Sequence, residues 1–229
     1  MYPQATQLLG AGALVVEYLI VGGGGGGDSG AYATNTLRGG LDGQVVPGSV
    51  TLGAGQSCAV QVGAGGAART NGGASSFNGV TASGGAHSGQ VGNGVDGTTS
   101  SISGTPTVYG SSGGAGRFYD GGSGAGTGHP GGTNAGSGGD GFSDPTTAGA
   151  GSGTNGVANR GGGGGGKSEC RSGDSVVVGA SSGGSGGSGV VIVRYLGPQR
   201  ATGGTITSAG GYTIHAFTGV GAATFFVTG

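Results

Sequence analysis

An all-β fold is what this sequence predicts: a small β-sheet or sandwich from terminal strands, plus packed polyglycine II-type helices joined by decorated turns. Three observations carry that expectation. Apolar runs rich in Val, Ile, Leu and Tyr stand near both ends of the chain. Glycine supplies 68 of the 229 residues and concentrates between those runs. No window carries the 3.6-residue apolar period of an amphipathic helix. The chain divides accordingly into N-terminal strands with a first glycine tract (residues 1–66), a glycine-rich polyglycine-helix region (67–187) and C-terminal strands closing the β part (188–229).

The first strong element is residues 13–21 (ALVVEYLIV), apolar almost throughout and stopped by hexaglycine at 22–27; it reads as a strand covered on both faces. Residues 49–52 and 57–62 alternate, turning Val50, Leu52, Cys58, Val60 and Val62 inward, and the intervening GAGQ predicts a hairpin. Shorter strands are expected at 76–82, at 101–109, where Pro106 restricts it to an edge, and at 175–178. Residues 189–196 (GVVIVRYL) form another continuous strand, and 211–217 with 223–228 a final hairpin.

The glycine between these strands needs a physical account. Ordering a glycine costs roughly 0.5–1 kcal/mol more than ordering an alanine, so loose loops cannot hold this many in place. Either the middle is a flexible Gly/Ser linker, or its backbone groups find partners in an array that only glycine can enter. A bundle of three-residue-per-turn polyglycine helices, bonded through N–H and C=O groups, is such an array. Pure tracts of equal length at 22–27 and 161–166, separated by segments with bulky residues, favour the array.

Composition closes several routes. Charged residues are 7% of the chain with net charge -1, and the cations (Arg38, Arg69, Arg117, Arg160, Lys167, Arg171, Arg194, Arg200) are scattered singly, so no basic patch predicts nucleic-acid binding. The apolar stretch at 8–21 is short, interrupted by Glu17 and unpreceded by Lys or Arg, and predicts neither a signal peptide nor membrane insertion. Cys58 and Cys170 leave two alternatives, a long-range disulfide or separate thiols with Cys58 in the core. Neither zinc nor redox spacing is present.

No catalytic constellation is expected, and hence no enzyme. His215 sits on a predicted strand and reads as a hydrogen-bonded structural residue; His87 and His129 are loop residues without a readable partner. The nine carboxylates stand in unrelated settings. Asp140 and Asp144 lack the Asp-rich loop of calcium sites, and G-x-G-x-x-G matches mean little in so glycine-rich a chain. No cofactor or metal is expected.

Residues 16–27 (VEYLIVGGGGGG) resemble the glycine-rich module of bacteriophage tail fibre and adhesin proteins. Similar elements follow in order: 48–66 (GSVTLGAGQSCAVQVGAGG), 71–85 (NGGASSFNGVTASGG), the tract 161–166 and 183–195 (GGSGGSGVVIVRY). The order departs at 203–227, which resembles a hairpin that usually precedes the first strand. That hairpin is expected either to fold beside residues 15–20 or to pair with a neighbouring copy, giving a homo-oligomer by strand exchange.

The resemblance implies a non-enzymatic protein of the virion surface whose variable turns bind a host cell-surface protein or glycan, alongside other virion or tail-fibre proteins. The contact turns expected are those where aromatic and charged residues interrupt glycine: 32–38 with Tyr32 and Arg38, 87–90 with His87, Arg117, Phe118, Tyr119 and Asp120 (RFYD), His129 with Pro130, and 142–144 with Phe142. Two rivals stand beside this reading: a purely architectural fibre or capsid decoration protein, and an ice-binding polyglycine-helix protein, against which the bulky turns argue.

Overall fold

The computed structural model describes residues 12–29, 37–120, 127–136, 151–172, 175–177 and 181–229. Among them are fifteen strands and no helix: β1 (Leu14–Val21), β2 (Val45–Leu52), β3 (Ser57–Val62), β4 (Ser75–Phe77), β5 (Val80–Ala82), β6 (Thr98–Ser100), β7 (Thr107–Tyr109), β8 (Phe118–Asp120), β9 (Glu169–Ser172), β10 (Ser175–Val177), β11 (Val190–Leu196), β12 (Ala201–Thr202), β13 (Thr205–Ala209), β14 (Tyr212–Phe217) and β15 (Gly221–Val227). Two five-stranded antiparallel sheets, ordered β13-β14-β11-β1-β2 and β12-β15-β3-β4-β5, pack as a sandwich. The hairpin β6-β7 and the small sheet β10-β9-β8 are separate.

Alternation along each strand decides what fills the sandwich. Leu14, Val16 and Ile20 of β1 join Val191, Val193 and Tyr195 of β11 on one side; Cys58, Val60 and Val62 of β3, Phe77 of β4 and Phe225 and Val227 of β15 meet them from the other. The rings of Phe77 and Phe225 pack edge to face, 5.9 Å between centroids. On the opposite face of the first sheet, Leu19, Val21, Val190, Ile192 and Ile214 are buried against Ile102 and Tyr109 from the β6-β7 region. Both faces of β1 and β11 are therefore covered, which accounts for their nearly continuous apolar sequences.

The structure departs from the sequence reading in five places. Residues 49–52 and 57–62 are not a hairpin: β2 pairs with β1 while β3 pairs with β15 and β4, so the turn between them carries the chain from one sheet to the other. Likewise β14 pairs with β11 and β13, and β15 with β3 and β12, so 211–217 and 223–228 are not a hairpin either. The inward alternation is unaffected, because strands joined across a sandwich aim the same side chains at the shared core as strands paired side by side. Residues 76–82 contain two strands, closed by a tight turn at Asn78 (φ 48°) and Gly79 (φ 84°), the doubly left-handed conformation that suits hairpins. Of residues 101–109 only β7 is strand, paired with β6. The C-terminal hairpin is β13-β14, and it lies beside β11 rather than beside β1, whose two edges are filled by β11 and β2.

At one end of the sandwich, strands continue into the glycine-rich segments. Strands β1, β3 and β5 leave through Gly22, Gly63 and Ser83, and β2, β4 and β11 are entered from Gln44, Ala74 and Gly189. The first hexaglycine is then enclosed on six sides. Its N–H groups turn through three neighbours in rotation: Gly22 and Gly25 donate to Gln44 and Leu41, Gly23 and Gly26 to Gly73 and Thr70, Gly24 and Gly27 to Gly187 and Gly184. Its carbonyls accept in the same rotation from three more, Gly23 and Gly26 from Gly85 and Ser88, Gly24 and Gly27 from Gly66 and Arg69, Gly25 and the next residue, Asp28, from Gly164 and Lys167. Each partner returns every third residue. The tract runs antiparallel to the segments it donates to and parallel to those it accepts from.

Residues 161–166 are likewise enclosed by hydrogen-bonded neighbours, with the segments at 111–114 parallel to them and those at 40–43 and 184–187 antiparallel. Gly163 and Gly166 donate to Ser111 and Gly114, Gly164 to Gly25 and Gly165 to Thr154, while Gly161 and Gly164 accept from Gly43 and Gly40, Gly162 and Gly165 from Gly187 and Gly184, and Gly163 from Gly136. The two tracts lie side by side at the centre of the array. A methyl group on Gly24 would overlap the carbonyl oxygen of Gly162, one on Gly27 that of Gly165, and one on Gly163 that of Gly40. Runs without side chains are what such close approach requires. At the rim, side-chain oxygens stand in for missing neighbours: Ser111 Oγ accepts from Gly97 N (3.0 Å), Ser112 Oγ from Val95 N (2.8 Å) and Asn155 Oδ1 from Ser185 N (2.8 Å).

Candidate functional site

Because segments of the array run alternately away from the sandwich and back, their turns collect at its two ends. The level of the far end is set by Asp28, just past the first tract. Asp28 N donates to Arg38 O (2.9 Å), Lys167 N donates to Asp28 O (3.0 Å), and Arg69 N donates to Gly27 O (3.0 Å). Ser88 N reaches Gly26 O (3.4 Å) and Gly116 N reaches Leu37 O (2.7 Å). Hydrogen-bond register thus carries Arg38, Arg69, His87, Arg117 and Lys167, remote in sequence, to one end of the molecule.

Most of the contact residues expected from sequence meet there. Arg38 and Arg117 are exposed. His87 is exposed, its N–H on Asn71 Oδ1 (2.8 Å) and its Nδ1 3.1 Å from Ser88 Oγ. His129 is half-buried, its N–H on Ala115 O (3.0 Å) and its Nδ1 2.8 Å from Asn93 Oδ1. The RFYD segment differs from the expected turn: Phe118, Tyr119 and Asp120 form β8, paired in parallel with Glu169, Cys170 and Arg171 of β9. Tyr32 and Phe142 lie outside the described residues.

Sequence reasoning missed Asp28 and Lys167, which are 2% and 1% exposed beneath this surface. Arg69 Nε lies 3.9 Å from Asp28 Oδ1. A signal was available, since each pure tract is followed at once by a charged residue, Asp28 after 22–27 and Lys167 after 161–166. Parallel neighbouring tracts of equal length place those two residues on adjacent backbones, joined by the Lys167 N–H to Asp28 O.

The sandwich end is built differently. Ser75 Oγ, buried, donates to Val21 O (2.7 Å) and accepts from Gly63 N (2.9 Å), tying both sheets to the start of the array. A shallow groove nearby is lined by Asp42, Gln44, Asp96 and Thr98. Burial pushes the Asp42 carboxyl up, partly offset by a backbone hydrogen bond, and hydrogen bonds from Thr133 hold Asp96 down. Among the described residues no three His, Cys, Asp or Glu side chains gather in a metal-binding group.

His215 occupies the structural position expected of it. It is buried in the sandwich, its Nδ1 2.8 Å from Gly203 O and its Nε2 3.1 Å from the Tyr195 hydroxyl, which accepts from Arg200 N at 2.9 Å. Nδ1 therefore donates and Nε2 accepts, the neutral form with both ring nitrogens satisfied. Burial lowers its pKa, and the bond to Gly203 restores only part of that. Cys58 is a free thiol in the same core, its pKa raised by burial; the strand carrying Cys170 belongs to the far end of the array.

A family profile described as a glycine-rich domain matches residues 4–196. No curated protein and no solved structure matches the chain. The matched region stops at the last residue of β11, so β12 to β15, which complete both sheets, lie beyond it.

Proposed function

This chain belongs to the glycine-rich domain family, and on that premise we propose that it is a non-enzymatic virion-surface module of the tail-fibre adhesin kind, presenting turns to a host cell-surface protein or glycan. In this reading the glycine segments are polyglycine II-type helices. The return of each hydrogen-bond partner every third residue supports that assignment. The tracts serve as a scaffold, and function resides in what the scaffold presents.

The observation that carries the proposal is the convergence of Arg38, His87, Arg117 and His129 on the end of the array opposite the sandwich. Turns held in place before contact bind without the entropy cost of ordering them at contact. Arginine and aromatic side chains supply most of the contact energy of binding surfaces.

Competition for phage adsorption tests the reading. The isolated protein should block adsorption, and Arg117→Ala with His87→Ala should weaken the block by about tenfold or more, the effect of losing ~1.4 kcal/mol. Full-strength adsorption in the presence of saturating, folded protein would instead assign the chain to virion architecture, with the turns contacting other virion proteins.

A further inference from the structure

The sandwich carries a surface that the far-end turns do not account for. Among the described residues the two sheets are open, so β13, β2, β12 and β5 are edge strands. An edge exposes unpaired N–H and C=O groups, and folded proteins blunt it by shortness, proline, charge, a bulge or a cover. Strand β5 has three residues and β12 two. Strand β2 carries Pro47, which has no N–H to offer.

Among the described residues, strand β13 shows none of these devices along its free edge. Its sequence, TITSA, contains no charge and no proline, and it pairs without a bulge against β14 from Thr205↔Ala216 to Ala209↔Tyr212. Thr205, Thr207 and Ser208 are exposed. Glycine pairs at 203–204 and 210–211 bound it, so no bulky side chain stands at either end of the edge.

We propose that β13 is a docking edge for a second copy of this chain, β13 pairing antiparallel with β13 about a two-fold axis to join two five-stranded sheets into one. The segment is complementary to itself. A register centred on Thr207 sets Thr207 against Thr207, Ile206 against Ser208 and Thr205 against Ala209. No like charges meet, and Thr–Thr is among the favourable cross-strand pairs. Ile206 lies opposite His215 and shares its core-facing side, so pairing extends the apolar side of the sheet as well as its hydrogen bonds. Symmetric pairing forms every contact off the axis twice. Since the glycine array leaves from one end of the strands, the two arrays point away from each other, with far-end turns at both extremes of the dimer. The pairing does not depend on what those turns bind.

Light scattering coupled to size-exclusion chromatography of the full chain tests this, with Thr207→Lys placing like charges on the two-fold axis. The wild type should run at twice the 20.9 kDa chain mass and the lysine variant at 20.9 kDa, with unchanged circular dichroism. In a Cys170→Ser background, Thr207→Cys should form a reducible covalent dimer under mild oxidation, while Thr224→Cys, on the outer face of the other sheet, should not. A wild type at 20.9 kDa throughout the concentration range, a lysine variant that stays dimeric, or equal cross-linking of both cysteine variants would overturn the proposal.

Discussion

Replacing Gly24 by alanine adds one methyl group at the contact between the two central tracts. The new Cβ would overlap the carbonyl of Gly162, whose oxygen accepts from Gly187 N at 2.7 Å. Gly24 itself donates to Gly187 O at 2.9 Å and accepts from Gly66 N at 2.8 Å. Relieving the overlap separates the tracts and strains these bonds together. A buried backbone group left unpaired costs about 1–3 kcal/mol, so two lost pairings cost roughly 2–6 kcal/mol on the same basis. Restricting the unfolded chain returns only about 0.4–1 kcal/mol. The expected net loss is therefore roughly 1–5.5 kcal/mol. Gly219→Ala is the control: nothing lies within 4 Å of a Cβ there, and the change should be neutral or stabilising by at most ~1 kcal/mol. Urea unfolding midpoints, with amide exchange of residues 23–27, measure both. Equal midpoints for the two variants, with rapid exchange through the tract in the wild type, would refute the packed array.

The buried His215 and the seam residue Ser75 give two further tests. His215 has a folded-state pKa below the ordinary 6.5, so on acidification the unfolded chain takes up the proton first; its contribution to stability is complete above about 6.5 and is lost as pH falls below that toward the lowered folded-state value. His215→Gln should remove this part of the pH dependence, read as denaturation midpoints on either side of 6.5; midpoints that fall in parallel for both proteins would show that the imidazole is not held neutral by burial. Ser75→Ala removes the hydroxyl between Val21 O and Gly63 N and should cost about 1–3 kcal/mol by leaving buried backbone groups unpaired, measured by urea unfolding; a loss under ~0.5 kcal/mol, the range of ordinary surface changes, would show that the seam does not need it.

Much of this molecule was legible one residue type at a time. Alternation at Cys58, Val60 and Val62 named an inward face, the continuous apolar run at 190–196 named a strand covered on both sides, and the equal tracts at 22–27 and 161–166 named segments that tolerate no side chain. The Asn78-Gly79 turn was equally available and went unread. Arg38, His87, Arg117 and His129 stood out as interruptions in glycine, though nothing local said that they would meet.

Sequence by itself determined the all-β class, the buried side of the principal strands and the places where only glycine fits, because each depends on what one side chain is or on its lacking one. Tertiary structure alone decided that β2 and β3 part into different sheets, that the C-terminal hairpin lies on β11, and that five remote segments end at one level. The physical reason is common to all three. An alternating strand encodes which face is buried but not which strand lies beside it, and a glycine tract presents the same N–H and C=O at every position, so its register is set by the strands that anchor it and by the neighbours that surround it.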